Sequence, residues 1–280
     1  MHAFVNNVKT VFLLGLLFGL IVLVGSAWGK QGMIIAGVLA AVMNLGAWFF
    51  SDSIAIAAMR GQPADRRQAP QLVSIVEDLA QRAGIPVPRI FICPHDAPNA
   101  FATGRNPRHS AVAITHGALR LLDEDELRGV MAHEIAHIRN RDTLISTIAA
   151  TVAGIFSMLA QMSLYIGPGM GGGGDRRQGN PLAALAIILL GAIGAALIKA
   201  MISRSREFVA DADGARYAGE PEGLISALRK LDAYAQRIPL HQPNPAMNNL
   251  FIVEPFVGRT LTELFATHPP IEKRIAALRR

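Results

Sequence analysis

Residues 130–138 read Val130-Met131-Ala132-His133-Glu134-Ile135-Ala136-His137-Ile138, and this stretch decides the fold and the chemistry of the chain. His133 and His137 are four residues apart, so on an α-helix their side chains lie one above the other on the same face. Two imidazoles in this arrangement can bind one zinc ion, and Glu134 can reach the water at the open coordination position. The stretch therefore predicts an HExxH zinc site with Glu134 as general base. The alternative is a chance match on an ordinary amphipathic helix with solvated His and Glu side chains.

The composition indicates a membrane protein. Hydrophobic residues make up 51% of the 280 residues and charged residues only 17%, and several apolar runs are too long for a globular core. The net charge of +6 would suit nucleic acid or anionic lipid, but no basic run is interleaved with aromatic residues. We therefore expect lipid headgroups as a partner and no nucleic acid. Cys93 is the single cysteine, which excludes an internal disulfide and is consistent with a reducing compartment.

Four apolar runs are long enough to cross a bilayer as helices. The first covers residues 11–28 and the second covers 33–50, and we expect the second to continue into 54–59. The third and fourth cover 144–166 and 181–201. The first run could instead be a cleaved signal peptide, but it has no convincing cleavage site because Trp28 stands where a small residue is wanted. The third and fourth runs, rich in Ala and Gly, could instead lie partly buried against the soluble segments.

The positive residues beside these runs predict the orientation of the chain in the membrane. Lys30, Arg176 and Arg177 would lie on one side of the bilayer. The residues on the other side are Lys9, Arg60, Arg66, Arg67, Arg139, Arg141, Arg204 and Arg206. Because positive residues accumulate on the cytoplasmic side, this bias predicts that both termini and the soluble segments face the cytoplasm.

Outside the apolar runs the sequence has the pattern of a soluble α+β domain. Apolar residues at helical spacing between Pro70 and Gly84 predict a helix, since proline and glycine supply its start and stop. Residues 89–93, which include Cys93, and residues 110–115 predict short buried strands.

The segment between these strands, residues 99–104, could form an extended edge of the sheet or a plain loop. An edge beside a metal site can hold a peptide by backbone hydrogen bonds. The candidate substrate-binding residues are Asn99, Ala100, Phe101 and Ala102.

A third metal ligand is expected on the helix that follows the fourth apolar run. Glu207 and Asp211 are four residues apart on one face of that helix, so Glu207 can bind the metal while Asp211 accepts a hydrogen bond from the free N–H of a ligating imidazole. Two histidines and a glutamate with one bound water form a catalytic zinc arrangement. The alternative is a solvated helix whose two carboxylates pair with nearby arginines.

The chain resembles the HtpX-like membrane zinc endopeptidases, relatives of the CAAX prenyl proteases. The resemblance covers essentially the whole length and depends on four motifs in combination. These are Asn99-Ala100-Phe101-Ala102, residues 132–137 with Asp142, residues 205–211, and Thr267-His268-Pro269-Pro270 with Arg274.

The resemblance implies a protease that cleaves damaged or misassembled membrane proteins at the cytoplasmic face, with one zinc ion per chain. It makes Glu207 the third ligand and places Asp211 and Asp142 behind the ligands. His268 and Arg274 become candidates for holding the oxyanion. The residues alone leave alternatives. On a continuing helix, Asp142 would point away from the face that carries the two histidines, so it could instead terminate the helix. His268, which precedes two prolines, could simply begin a helix.

The expected fold class is a mainly α membrane protein with four transmembrane helices and a cytoplasmic α+β zincin-like protease domain with a small sheet. The expected divisions are a transmembrane hairpin at 1–59, the first part of the protease domain at 60–143, a second hairpin with a Gly-rich connector at 144–201, and the second part of the domain at 202–280.

Two functions of other classes remain as alternatives. The first is a transporter or channel, which would need ionisable groups near mid-bilayer, and the apolar runs offer little beyond Asn44 and Gln161. The second is an adaptor that keeps the zinc site as a structural clamp.

Overall fold

The computed structural model describes residues 2–26, 29–144, 205–237 and 269–280, which form a mainly helical protein with one small mixed sheet. The helices are α1 His2–Ser26, α2 Gly29–Phe49, α3 Ser51–Ala58, α4 Pro70–Ala83, α5 His116–Leu121, α6 Glu124–Asn140, α7 Ser205–Ala218, α8 Glu222–Arg237 and α9 Ile271–Leu278. The strands are β1 Gln62–Pro63, β2 Arg89–Cys93, β3 Ala100–Asn106 and β4 His109–Thr115. The third and fourth predicted spans, apart from Leu144, lie outside the described residues.

The helices α1 and α2 pack against each other as the predicted N-terminal hairpin. The two helices approach closely near Gly25, where an added Cβ would collide with the Cβ of Ala36. Asn44 in α2 donates a hydrogen bond of 3.0 Å to the carbonyl of Leu14 in α1. Within the described ranges, one helix is long and apolar enough to cross a membrane by length and composition, through its segment Gly29–Gly46.

The predicted continuation of the second span is a separate helix, α3. The chain leaves helical geometry at Phe50, and α3 then packs Ile56 and Met59 against the sheet. At its start, the buried Asp52 forms an ion pair with Arg89 of β2. Ala55, Ile56 and Met59 are therefore buried against the strands, whereas Ile54 stays exposed.

The sheet has the strand order β1-β2-β4-β3. β2 and β4 are parallel, whereas β1 pairs with β2 and β3 pairs with β4 in antiparallel fashion. The predicted strand 89–93 is confirmed, and the predicted strand 110–115 begins one residue earlier, at His109. The predicted helix is confirmed as α4, which starts with Pro70 and is closed by Gly84 in the left-handed conformation at φ 67°.

Among the described residues, β3 is an edge strand of the sheet. Of the two alternatives left open for residues 99–104, an extended edge or a plain loop, the structure has the edge from Ala100 onward. Because side chains alternate across a strand, β3 contributes to both faces of the sheet. Phe101 packs with α3 on one face, whereas Ala100 and Ala102 join the core formed with α4 and α6 on the other. The strand thus lies between the helix that follows the hairpin and the helix that contains the HExxH sequence.

Helix α6 is the centre of the domain and joins its two parts. Asp123 caps its N-terminus in a capping box with Glu126, which stabilises the first turn. The buried Glu126 carboxylate also accepts hydrogen bonds of 2.6 Å from Ser226 and from Lys230 of α8. These contacts hold α8, which follows the stretch 145–204 in the sequence, against α6, which precedes it.

Candidate metal centre

Three side chains from α6 and α7 converge on one point. The Nε2 atoms of His133 and His137 lie 3.1 Å apart. Glu207 Oε2 lies 3.6 Å from His133 Nε2, and Glu207 Oε1 lies 3.7 Å from His137 Nε2. One potential ligand atom from each of the three residues can be chosen so that all three atoms lie within 4.8 Å of one another. This is the juxtaposition that a metal site built from these residues requires.

The close crossing of α6 and α7 makes this convergence possible. Glu207, Asp211 and Gly214 follow at spacings of four and three residues, so they share one face of α7. At Gly214 an added Cβ would lie 2.9 Å from the backbone nitrogen of His133. Only glycine fits here, because any side chain would push α7 away from the histidines. Sequence reasoning missed Gly214, although its place on the Glu207 face was the available signal.

The orientation of each imidazole is fixed from behind by a carboxylate. His133 Nδ1 lies 2.9 Å from Asp211, and His137 Nδ1 lies 3.0 Å from Asp142. A carboxylate accepts hydrogen bonds, so each pairing favours the tautomer with the proton on Nδ1 and a lone pair on Nε2. When both rings are neutral, their two Nε2 lone pairs lie beside the Glu207 carboxylate. The donor set of two imidazole nitrogens and one carboxylate fits a divalent cation.

The electrostatics of the pocket also favour a cation. Burial lowers the pKa of His133 to about 4, which keeps this imidazole neutral and able to ligate. Burial acts in the same direction on His137, but Glu207 and Asp142 outweigh it and raise the pKa of His137 to about 10. The local field therefore stabilises positive charge between the imidazoles.

Glu134 lies in the same buried pocket, with 4% of its surface exposed. Burial raises the pKa of its carboxyl to about 7, and the nearby Glu207 adds to this effect. The backbone N–H of Ala102 donates a hydrogen bond to the Glu134 carboxylate. Edge strand β3 and the HExxH carboxylate are therefore in direct contact.

Asp142 reaches His137 because α6 ends earlier than the helical angle assumed. The last helical residue is Asn140, and Arg141 adopts the left-handed conformation at φ 60°. This turn reverses the chain and returns the Asp142 carboxylate to the His137 ring. The expectation that Asp142 points away from the histidine face was wrong, because it assumed that the helix continues through residue 142, whereas α6 ends at Asn140.

Arg274 lies behind the site, on α9. Its Nε and Nη2 atoms donate hydrogen bonds of 2.8 Å and 2.6 Å to the two carboxylate oxygens of Asp211. Nη2 also lies 3.5 Å from His133 Nδ1. Desolvation opposes the charge of this fully buried guanidinium, but Asp211 outweighs it and raises the pKa of Arg274. His268, the other predicted oxyanion residue, lies outside the described residues.

The predicted substrate segment lies along β3. The backbone of Asn99 faces β4, because its carbonyl accepts from the N–H of Thr115 at 2.9 Å and its N–H donates to the Thr115 hydroxyl. Antiparallel pairs alternate, so the N–H and C=O groups of Ala100, Ala102 and Gly104 face the open edge. Thr143, directly after Asp142, donates a hydrogen bond of 2.8 Å to the Gly104 carbonyl.

An HExxH helix, a converging third carboxylate and an adjacent edge strand define the class of protein as a metallopeptidase. The sequence model of peptidase family M48 matches residues 66–280. The chain belongs to this family. This finding does not favour the transporter and adaptor alternatives.

Relatives that are described as HtpX protease homologues match almost the entire chain. One from Sulfurihydrogenibium is 49% identical over 98% of this chain and 95% of its own length. Another, from Trichormus variabilis, is 50% identical over 98% of this chain and 96% of its own length. The crystal structure of S. mikatae Ste24p has a similar fold, with a TM-score of 0.55 and 17% identity, over 99% of this chain and 67% of that one.

Proposed function

We propose that the chain is a membrane-anchored zinc endopeptidase that cuts polypeptides, damaged or misassembled membrane proteins above all, at the cytoplasmic face. The observation that supports this most strongly is the convergence of His133, His137 and Glu207 within 4.8 Å. Family membership supplies the peptidase activity itself. The metal identity, the substrate class and the topology are the parts that we add.

Zinc is the metal that best fits the donor set. Two neutral imidazoles and one carboxylate are a ligand combination of catalytic zinc sites, in which a further coordination position stays open. When bound, zinc would polarise the scissile carbonyl and lower the pKa of a water molecule toward about 7. Asp211 and Asp142 would hold the rings of His133 and His137 in the ligating orientation.

Glu134 would act as the general base. A base works best when its pKa lies near the operating pH, and burial raises the pKa of this carboxyl to about 7. Glu134 would take a proton from the attacking water and pass it to the leaving amine nitrogen. The hydrogen bond from the Ala102 N–H supports this role, because it orients the carboxylate without neutralising it.

Stabilisation of the oxyanion is assigned to His268 and Arg274. Nε and Nη2 of Arg274 are engaged by Asp211, whereas Nη1 has no hydrogen-bond partner among the described residues. Nη1 would therefore be the nitrogen of Arg274 that donates a hydrogen bond to the carbonyl oxygen as negative charge develops on it.

Polypeptide substrates would bind as an additional strand along β3. The backbone groups of Ala100 and the carbonyl of Ala102 face the open edge, whereas the Ala102 N–H is directed at Glu134. Binding through backbone hydrogen bonds tolerates many side chains, which suits an enzyme that removes unrelated damaged proteins. Asn99 and Phe101 would support the strand from behind, through β4 and through α3.

The membrane part would comprise the α1–α2 hairpin within residues 1–59, as far as Phe49, and a second hairpin at 144–201. The protease domain would be formed by 60–143 and 202–280, with α3 packed against its sheet. Support for the first hairpin comes from its exposed apolar surface, which includes Ile34, Ile35, Val38 and Val42 of α2. The excess of Lys and Arg next to the apolar runs supports a cytoplasmic domain and cytoplasmic termini.

The decisive experiment replaces the proposed base. Glu134→Gln should reduce kcat by at least about 100-fold while the zinc content stays the same, because the ligands are unaffected. Glu124→Gln, at an exposed position in the first turn of the same helix, is the matched control and should retain full activity. Chelation should abolish cleavage, and added zinc should restore it. Unchanged proteolysis in Glu134→Gln with retained zinc would remove the proposed mechanism.

A further inference from the structure

One contact joins the end of α2 to strand β3. Arg105, near the end of β3, donates a hydrogen bond of 2.7 Å from Nη1 to the carbonyl of Phe49, the last residue of α2. Its guanidinium also lies 5.5 Å from the ring centre of Trp48 and 5.3 Å from that of Phe49. Carbonyls in the last turn of a helix lack partners within the helix and attract cations, so Arg105 stabilises the C-terminal end of α2.

A second contact joins the same part of the protein to the same strand. Phe101, the second residue of β3, packs with Ala55 and Ile56 of α3 and with Met59, the C-cap of that helix. Since α3 begins two residues after α2 ends, the α2–α3 segment contacts β3 twice, through Arg105 and through Phe101. β3 has a neighbouring strand on one side, and these contacts supplement that pairing.

These contacts lie on the strand that we assign to substrate binding. Ala102 lies between Phe101 and Arg105 in the sequence, and its N–H contacts Glu134. An edge strand can accept a peptide only when its backbone groups are held in extended geometry at the right distance from the reacting atoms. Anything that loosens β3 should weaken peptide binding before it affects the metal ligands, which lie on α6 and α7.

We propose that Arg105 is a positioning residue for substrate: it ties edge strand β3 to the end of the candidate membrane helix α2 and thereby sets the strand that receives the peptide. This inference depends on the proposed function, in which β3 binds polypeptides. Arg105 acts through the strand and touches neither the metal ligands nor the proposed base. A substitution of Arg105 should therefore affect substrate binding rather than the chemical step. The position of α2 then influences how the substrate-binding strand is held.

The test compares Arg105→Ala with Arg108→Ala in the purified full chain. Arg108 is exposed on the turn after β3, and it donates a hydrogen bond to the Asn106 side chain through its backbone N–H, which a substitution to alanine leaves in place. We expect Arg105→Ala to raise KM for an unstructured fluorogenic polypeptide about threefold to tenfold, with kcat and zinc content unchanged. Arg108→Ala should match the unsubstituted chain. Arg105→Lys, which retains a donor and a charge but not the planar group, should give an intermediate KM.

Two further measurements identify the route of the effect. Hydrogen exchange of residues 100–106 should become faster in Arg105→Ala and stay unchanged in Arg108→Ala. In a double-mutant cycle, Trp48→Leu should add little to the KM of Arg105→Ala, because both substitutions break the same contact.

The outcomes separate this inference from the proposed function. Unchanged exchange in β3, or faster exchange with an unchanged KM, overturns the positioning role. Joint loss of zinc and kcat overturns it as well, since the effect would then be general damage to the metal centre. An unsubstituted chain that binds zinc but cleaves no polypeptide would overturn the proposed function instead, and hydrogen exchange would still decide whether Arg105 holds the strand.

Discussion

Arg274 and Asp211 form a two-point ion pair inside the protein, with hydrogen bonds of 2.8 Å and 2.6 Å and side chains that are 0% and 1% exposed. The Asp211 oxygen that accepts from Nη2 lies 2.9 Å from Nδ1 of His133 as well. A chain of contacts thus runs from α9 through α7 to a proposed metal ligand on α6. The consequences of this arrangement can be measured separately from activity.

Asp211→Asn should weaken zinc binding about 10- to 100-fold, the usual effect of losing a carboxylate that orients a ligating histidine. The amide would still accept one hydrogen bond but would present an N–H₂ group to Arg274 or to His133. Competition with a chromogenic chelator measures the affinity. Asp213→Asn is the control on the same helix, since Asp213 accepts from Asn140 and Arg216 rather than from the site. Equal affinities for the two variants would contradict the role of Asp211.

Arg274→Met should destabilise the fold by about 3–5 kcal/mol, because it leaves the Asp211 carboxylate buried without its cation. Thermal unfolding in detergent measures the change. Arg279→Met, at the exposed C-cap of the same helix, should have little effect. If Asp211→Asn is introduced first, most of the cost of Arg274→Met should disappear, because the uncompensated charge is gone. Full additivity of the two substitutions would show that the pair does not act as a unit.

Gly214→Ala should separate α6 from α7. An added Cβ would lie 2.9 Å from the backbone nitrogen of His133, and overpacking of this kind costs about 1–3 kcal/mol. The shift would also draw Glu207 away from the two imidazoles, so zinc affinity should fall together with stability. Ala212→Ser, at an exposed position of the same helix, should change neither. Unaltered zinc affinity in Gly214→Ala would mean that the ligand geometry tolerates a wider crossing.

Cysteine labelling tests the proposed second hairpin. Cys93 is buried, and desolvation raises the pKa of its thiol to about 11, so it should not react with a maleimide in the folded protein. Asp175→Cys, in the connector between the third and fourth apolar runs, should react with a membrane-impermeant reagent added outside the cell. Gln68→Cys, exposed in the domain assigned to the cytoplasm, should react only after the membrane is opened. The opposite pattern would reverse the topology.

The sequence predicts the parts of this protein that depend on regular spacing. The pairs His133–His137 and Glu207–Asp211 obey helical periodicity, so their shared faces follow from the numbers alone. The contact of Asp142 with His137 could not be derived from spacing, because it depends on where α6 ends and on the left-handed turn at Arg141. A one-residue shift of the helix end would point its carboxylate elsewhere.

Helix α3 shows a different limit. Residues 54–59 are apolar whether they face lipid or a sheet, and composition does not separate the two environments. The break at Phe50 and the pairing of Asp52 with Arg89 decide it, and both are tertiary features. The helical spacing places Gly214 on the Glu207 face, but the need for a glycine there arises only because α6 passes close to it.

The order of the ligands along the chain has a consequence for biosynthesis. A ribosome makes His133 and His137 first, and Glu207 follows only after the long stretch 145–204 has been synthesised. A nascent chain therefore carries two histidines but lacks the third ligand and the buried partners that orient His133. The proposed metal site can therefore be completed only after the intervening stretch has been made.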